Sequence, residues 1–179
     1  LLRACLLDGD SSATAWRRWR AEVDPEALDL GSLRLLPLLF ERVQSLALDD
    51  PSLDFYRALH RRTWLLNQGI FHGAKVVIEQ LAAAGIRAMP LKGLGRETAC
   101  YPSPAASPMS DIDLLVPRTD AIRAATILQS AGWRVKKGHV APTAVVDLSL
   151  RKGCPFDKPV SAAYEMDLHW RLFLARFSE

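Results

Sequence analysis

Two short stretches hold the residue types best suited to chemistry. Met109-Ser110-Asp111-Ile112-Asp113-Leu114-Leu115-Val116 sets two aspartates two positions apart in an apolar run. Alternate side chains of a β-strand share a face, so Asp111 and Asp113 project together while Ile112 and Leu114 point the other way. Neighbouring carboxylates at the edge of a core repel each other unless a cation lies between them. Hard oxygen ligands in this pattern suit Mg²⁺ or Mn²⁺. The second stretch, Tyr164-Glu165-Met166-Asp167-Leu168-His169-Trp170, alternates polar and apolar residues. As a strand it puts Glu165, Asp167 and His169 on one face. Asp167 then completes a three-carboxylate cluster, and His169 orients a carboxylate or meets substrate. Taken singly, each motif has an ordinary reading. A lone Asp-x-Asp is commonly a solvated strand end, and a lone histidine more commonly makes a structural hydrogen bond.

A third feature shifts that balance. Met89 to Gly95 reads as a strand followed by a glycine turn, Lys92-Gly93-Leu94-Gly95. Gly93 and Gly95 let backbone N–H groups approach phosphate oxygens, although an ordinary strand-to-helix turn has the same composition. Lys92 and Arg96 add positive charge beside it.

The surrounding pattern predicts the elements that position these residues. Leu1 to Leu7, Ala13 to Val23 and Ser32 to Leu46 read as helices, with Ser11 or Ser12 as an N-cap for the second. Asp24-Pro25-Glu26 reads as a fresh helix start with Pro at the first position. From Pro51 to Ala84, Tyr56, Leu59, Thr63, Leu66, Ile70, Ala74, Val77 and Leu81 recur every three or four residues, which makes one helical stripe. Gly69 and Gly73 are places for a local break, and Gly85 is a natural stop. Trp16, Trp19, Trp64 and Phe71 are expected to pack the helices together. Beyond Gly85 the pattern predicts strands at Ile86–Leu91, Asp111–Val116, Trp133–Lys136, Ala144–Arg151 and Ala162–Leu172. Helices are predicted from Arg96 and from Thr119 to Ala131. The expected organisation is a helical region, 1–84, and a small α/β core, 85–179, that is incomplete at its C-terminal end.

In order along the chain, Leu91-Lys92-Gly93, Tyr101-Pro102, Met109 to Val116, Ala131-Gly132-Trp133 and Asp167-Leu168-His169-Trp170 resemble an uncharacterised nucleotidyltransferase family of the polymerase-β-like superfamily. The resemblance implies an α+β fold, in which an N-terminal helical region precedes a small mixed β-sheet nucleotidyltransferase core with flanking helices. It implies Gly93 as the nucleotide-phosphate glycine, with Lys92, Gly95, Arg96 and Ser110 around the nucleotide. It implies Asp111 and Asp113 as the metal-binding pair and Asp167 as the third carboxylate. The implied reaction moves a nucleoside monophosphate from an NTP to an acceptor hydroxyl and releases pyrophosphate, with Mg²⁺ or Mn²⁺ as cofactor. The alternative is a catalytically weak or inactive nucleotide-binding or interaction module of the same fold. Leu94 after Gly93, and Ser107 where the family tends to carry Arg, favour that alternative. A purely helical partner-binding protein built on the stripe from Pro51 to Ala84 is a third reading.

Composition narrows the partners. The 179 residues carry 23 Lys and Arg against 20 Asp and Glu, for a net charge of +3. No long basic stripe offers the phosphate contacts that nucleic acid needs, which favours a small molecule or protein as acceptor. Cys5, Cys100 and Cys154 fit neither a zinc pattern nor a disulfide scaffold. No run approaches the ~18 apolar residues of a membrane span. The apolar start lacks a basic lead and a cleavage site, so the expected compartment is the cytoplasm.

Overall fold

The computed structural model describes residues 1–24, 27–46, 50–100, 103–157 and 165–173. The expected helix start at Asp24-Pro25-Glu26, the Tyr101-Pro102 pair, and Ala162 to Tyr164 of the last expected strand lie wholly or partly outside them. The fold is α+β. Five helices come first: α1 (Leu2–Leu6), α2 (Gly9–Glu22), α3 (Leu30–Leu33), α4 (Leu36–Ser45) and α5 (Leu53–Ala83). Then follow β1 (Met89–Pro90), α6 (Lys92–Cys100), β2 (Asp111–Leu115), a 3₁₀ turn (Arg118–Asp120), α7 (Ala121–Ser130), β3 (Arg134–Val135), α8 (Val145–Leu150), β4 (Gly153–Asp157) and β5 (Glu165–His169).

The chain divides into two compact units, residues 1–68 with 100–108 and residues 69–99 with 109–179. The first is helical. Its core joins Ala4 and Cys5 of α1, Trp16 and Trp19 of α2, Leu36, Leu39, Phe40 and Val43 of α4, and Tyr56 of α5. Trp16 meets Tyr56 edge-on at 5.7 Å, a favourable aromatic geometry. Asn67, fully buried on α5, donates to the carbonyls of Pro104 and Ser107 at 2.7 and 2.9 Å. That amide pins the proline-rich loop leading to Met109, a role the periodicity does not reveal.

The second unit is a five-stranded sheet in the order β1-β2-β5-β4-β3. β2 and β5 run parallel, and the other neighbours run antiparallel. One sheet face is apolar: Ile112, Leu114, Cys154, Phe156, Met166 and Leu168 join one core with Ile70, Ala74, Val77 and Leu81 of α5 and Ala124, Ala125 and Leu128 of α7. Asp111, Asp113, Asp167 and His169 fall on the other face by strand alternation.

Several expectations are corrected. Ala144–Arg151 is not a strand but contains helix α8. The β-branched Val145 and Val146 favour extended chain, but tertiary context overrides that preference. A helix end leaves carbonyls unpaired, and the buried Trp170 indole donates to two there, Leu148 O at 3.1 Å and Arg151 O at 2.8 Å. β4 was not anticipated, because Pro155 argues against a strand in the sheet interior. Helix α6 begins at Lys92 rather than Arg96, so the glycine turn is its first turn. The N-cap of α2 is Asp8, and Ser12 instead donates to Ala4 O at 2.7 Å. Trp64 is 44% exposed and packs in neither core. Helix α5 runs through Gly69 and Gly73 without a break. Its stripe is buried at Tyr56, Thr63, Ile70, Ala74, Val77 and Leu81, partly buried at Leu59 and exposed at Leu66, so most of it packs inward and the helical partner-binding reading loses its main support. Gly85 and Gly132, which follow α5 and α7, have φ of +73° and +90°, a conformation glycine adopts without strain.

Candidate active site

The site starts from one register. Asp113 of β2 lies opposite Asp167 of β5, and Leu115 lies opposite His169. Parallel pairing in this register brings both carboxylates and the imidazole to one patch of the sheet. Among the described residues, one ligand atom each from Asp113, Asp167 and His169 lies within 4.8 Å of the others. Asp111 stands outside this group, two positions earlier on the same face, opposite Glu165. Ser110 donates to its carboxylate at 3.1 Å. Glu165 pairs instead with Lys136.

Asp113 is the buried centre, with a side chain only 2% exposed. His169 Nε2 lies 2.8 Å from Asp113 Oδ1, with the carboxylate accepting. Lys92 Nζ lies 2.5 Å from the same oxygen and 3.9 Å from Asp167 Oδ2. Burial pushes the Asp113 carboxyl up most strongly. The hydrogen bonds from His169 and Lys92, with their charges, outweigh it and hold the group below the usual carboxylate value. Desolvation is likewise the largest influence on Lys92 and pulls it down. The Asp113 hydrogen bond and the charges of Asp113, Asp111 and Asp167 outweigh it, so the ammonium is held above its ordinary value.

Local backbone delivers Lys92 to this position. Leu91 N–H donates to Asp113 O at 2.9 Å, extending the pairing of β1 with β2 to the site. The chain then turns at Lys92, whose φ of +45° is the only positive value at a non-glycine among the described residues. Gly95 follows in the first turn of α6, where an added Cβ would lie 2.9 Å from Pro90 O. Gly95 therefore allows the turn to close against β1. Gly93 packs on Met109, whose Cγ would be 3.1 Å from a Cβ there. Both glycines thus have a packing role that the sequence pattern alone does not separate from phosphate binding. Arg96 is exposed on the same helix.

The donor set is rich in oxygen, adds one imidazole, and can hold a divalent metal ion. The Lys92 ammonium pairs with Asp113 and lies 3.9 Å from Asp167, so positive charge already offsets the carboxylates of this patch. Cysteine chemistry is disfavoured at two of the three thiols, because burial pushes Cys5 and Cys154 up to about 11. His169 orients a carboxylate, one of the two roles its place in the strand suggests. Its alternation with Asp167 signalled the shared face, but its contact with Asp113 depends on the pairing of β2 with β5.

No helix among the described residues is long and apolar enough to cross a membrane. No curated protein and no solved structure matches the chain. A family model described as an uncharacterised nucleotidyltransferase matches residues 31–179, which include every member of the cluster and all of α6. The chain belongs to this uncharacterised nucleotidyltransferase family, and nucleotidyl transfer is the general function that membership supports.

Proposed function

We propose that the protein is a metal-dependent nucleotidyltransferase that moves a nucleoside monophosphate from an NTP to an acceptor hydroxyl, with release of pyrophosphate. The observation that carries this reading is the pairing of Asp113 with Asp167 beside the first turn of α6. Asp113 and Asp167 would hold the ion, Mg²⁺ or Mn²⁺, and Asp111 would extend the oxygen ligands towards the triphosphate. When bound, such an ion supplies Lewis-acid polarisation of the phosphoryl oxygens and offsets developing charge.

The remaining roles belong to the chain. The backbone N–H groups of Gly93 and Leu94, at the start of α6, have no earlier turn of the helix to bond and would be offered to phosphate oxygens, whereas the Gly95 N–H is spent on Leu91 O at 3.1 Å. Lys92 and Arg96 flank these glycines in sequence and would add charge, and Ser110, which donates to Asp111 at the start of β2, would add hydrogen bonding to the nucleotide. Asp167, less buried than Asp113, would take the proton from the acceptor hydroxyl. His169 fixes the Asp113 carboxylate so that its free lone pairs keep one direction. Positioning and fixed charge supply most of the acceleration. The near-neutral charge supports a small-molecule or protein acceptor over nucleic acid.

Incubation with α-labelled NTPs, Mg²⁺ or Mn²⁺ and panels of small-molecule and protein acceptors tests the reading. Label should appear on an acceptor, and Asp111→Ala with Asp113→Ala should abolish it. Transfer at the parent rate by a folded double variant would refute the site. Nucleotide binding without turnover across the panel would favour the non-catalytic module.

A further inference from the structure

The Lys92 ammonium occupies the space that a metal ion would need. It touches Asp113 Oδ1 and approaches Asp167 Oδ2, two of the candidate ligand groups. Two cations cannot share that space, so ion and ammonium exclude one another. The lysine is also built to leave. Its side chain is 56% exposed while the Asp113 side chain is 2% exposed, so only its tip reaches into the site. A flexible four-carbon stem carrying a compact charge can swing away without disturbing the backbone. The backbone itself is held in a left-handed conformation at φ +45°, which non-glycine residues keep when the surroundings enforce it. Lys92 is also the first residue of α6, so its side chain starts from the same helix end as the N–H groups of Gly93 and Leu94.

We infer that Lys92 is an exchangeable counter-cation: it keeps Asp113 and Asp167 assembled before the metal ion arrives, then transfers to the triphosphate. This rests on the metal-dependent reading above. Before loading, the ammonium offsets carboxylate repulsion in a partly buried patch, where an unpaired Asp113 would be costly. On loading, the ion takes over that neutralisation and the released ammonium meets the incoming phosphates. Lys92 therefore acts in opposite directions on the two ligands. It opposes binding of the bare ion and supports binding of the nucleotide.

The test pairs Lys92→Met with Lys92→Gln, a polar variant that serves if the first fails to fold. Mn²⁺ alone is titrated and followed by electron paramagnetic resonance. A non-hydrolysable NTP analogue with saturating Mg²⁺ is titrated by calorimetry. Both variants should bind bare Mn²⁺ about tenfold tighter than the parent, the order of one charge-assisted hydrogen bond that the ion no longer displaces. Both should bind the analogue about tenfold more weakly, since one phosphate partner is gone. Unchanged or weaker Mn²⁺ binding overturns the exchange role while leaving the metal site standing. Tighter Mn²⁺ with unchanged nucleotide overturns the transfer to phosphate. No Mn²⁺ binding by parent or variants, indistinguishable from Asp113→Asn with Asp167→Asn, sinks the metal-dependent reading as well.

Discussion

Asp113 carries more of the site than any other residue. It is the most buried of the candidate ligands and accepts from both His169 and Lys92. A hydrogen-bonded imidazole that fixes a ligating carboxylate is worth about 10- to 100-fold in metal affinity. His169→Ala should therefore weaken Mn²⁺ binding by that order, while His169→Gln, which can still donate, should recover part of it. Equal affinity in His169→Ala and parent would reduce the imidazole to a packing role. The aspartate spacing was legible in the sequence because period-two alternation survives in five-residue strands such as β2 and β5. The contact from His169 to Asp113 was not. It spans 56 positions and is set by strand register, which neither strand encodes alone. Nor was the Lys92 contact legible, since a lysine before a glycine turn is equally suited to solvent.

At the scale of elements, the close approach of β4 to β5 holds the histidine. A Cβ on Gly153 would fall 2.7 Å from Leu168 O and 3.1 Å from His169 Nδ1. Gly153→Ala should cost about 1–3 kcal/mol of stability, as overpacking does. A lower urea midpoint and weaker Mn²⁺ binding together would show it; parent values in both would contradict it. β4 and α8 escaped the sequence for opposite reasons. Pro155 hid a real strand, and Val145-Val146 suggested one where the chain is helical. In both cases tertiary partners decided: Lys136 N–H reaches Pro155 O, and the Trp170 indole reaches the end of α8.

The turn into α5 makes a pH prediction. Asp50 accepts from the Ser52 N–H at 2.8 Å and hydroxyl at 2.6 Å, and pairs with Arg20. Burial pushes its carboxyl up, but the Ser52 hydrogen bonds and the Arg20 charge prevail and hold it below the usual value. A depressed carboxyl adds stability above its unfolded pKa of about 3.9, and that stability is lost as pH falls through the lower folded value. Asp50→Asn should accordingly flatten the loss of stability below about pH 4, measured by urea unfolding across pH. An unchanged slope would show that the turn does not act through this charge.

For the whole molecule, composition described a near-neutral chain and left the division of labour hidden. The candidate site residues Asp111, Asp113, Asp167 and His169 share the polar face of one sheet, whose other face buries α5 and α7 residues. The first unit contributes a tryptophan-rich helical core and the Asn67 clamp on the loop before Met109. The α+β class and the family were legible because the motifs occur in order along the chain. The glycine roles were not, because close packing and phosphate binding favour the same residue.

Under the proposed function, Asp113 and Asp167 hold a divalent ion for an NTP. Calorimetric titration of non-hydrolysable analogues of the four NTPs, with Mg²⁺ and with excess EDTA, tests it most directly. The folded parent should bind at least one analogue with Mg²⁺, and binding should vanish with EDTA and in Asp113→Asn with Asp167→Asn. Binding that survives both the chelator and the double substitution, or no binding of any analogue by the parent, would contradict the account.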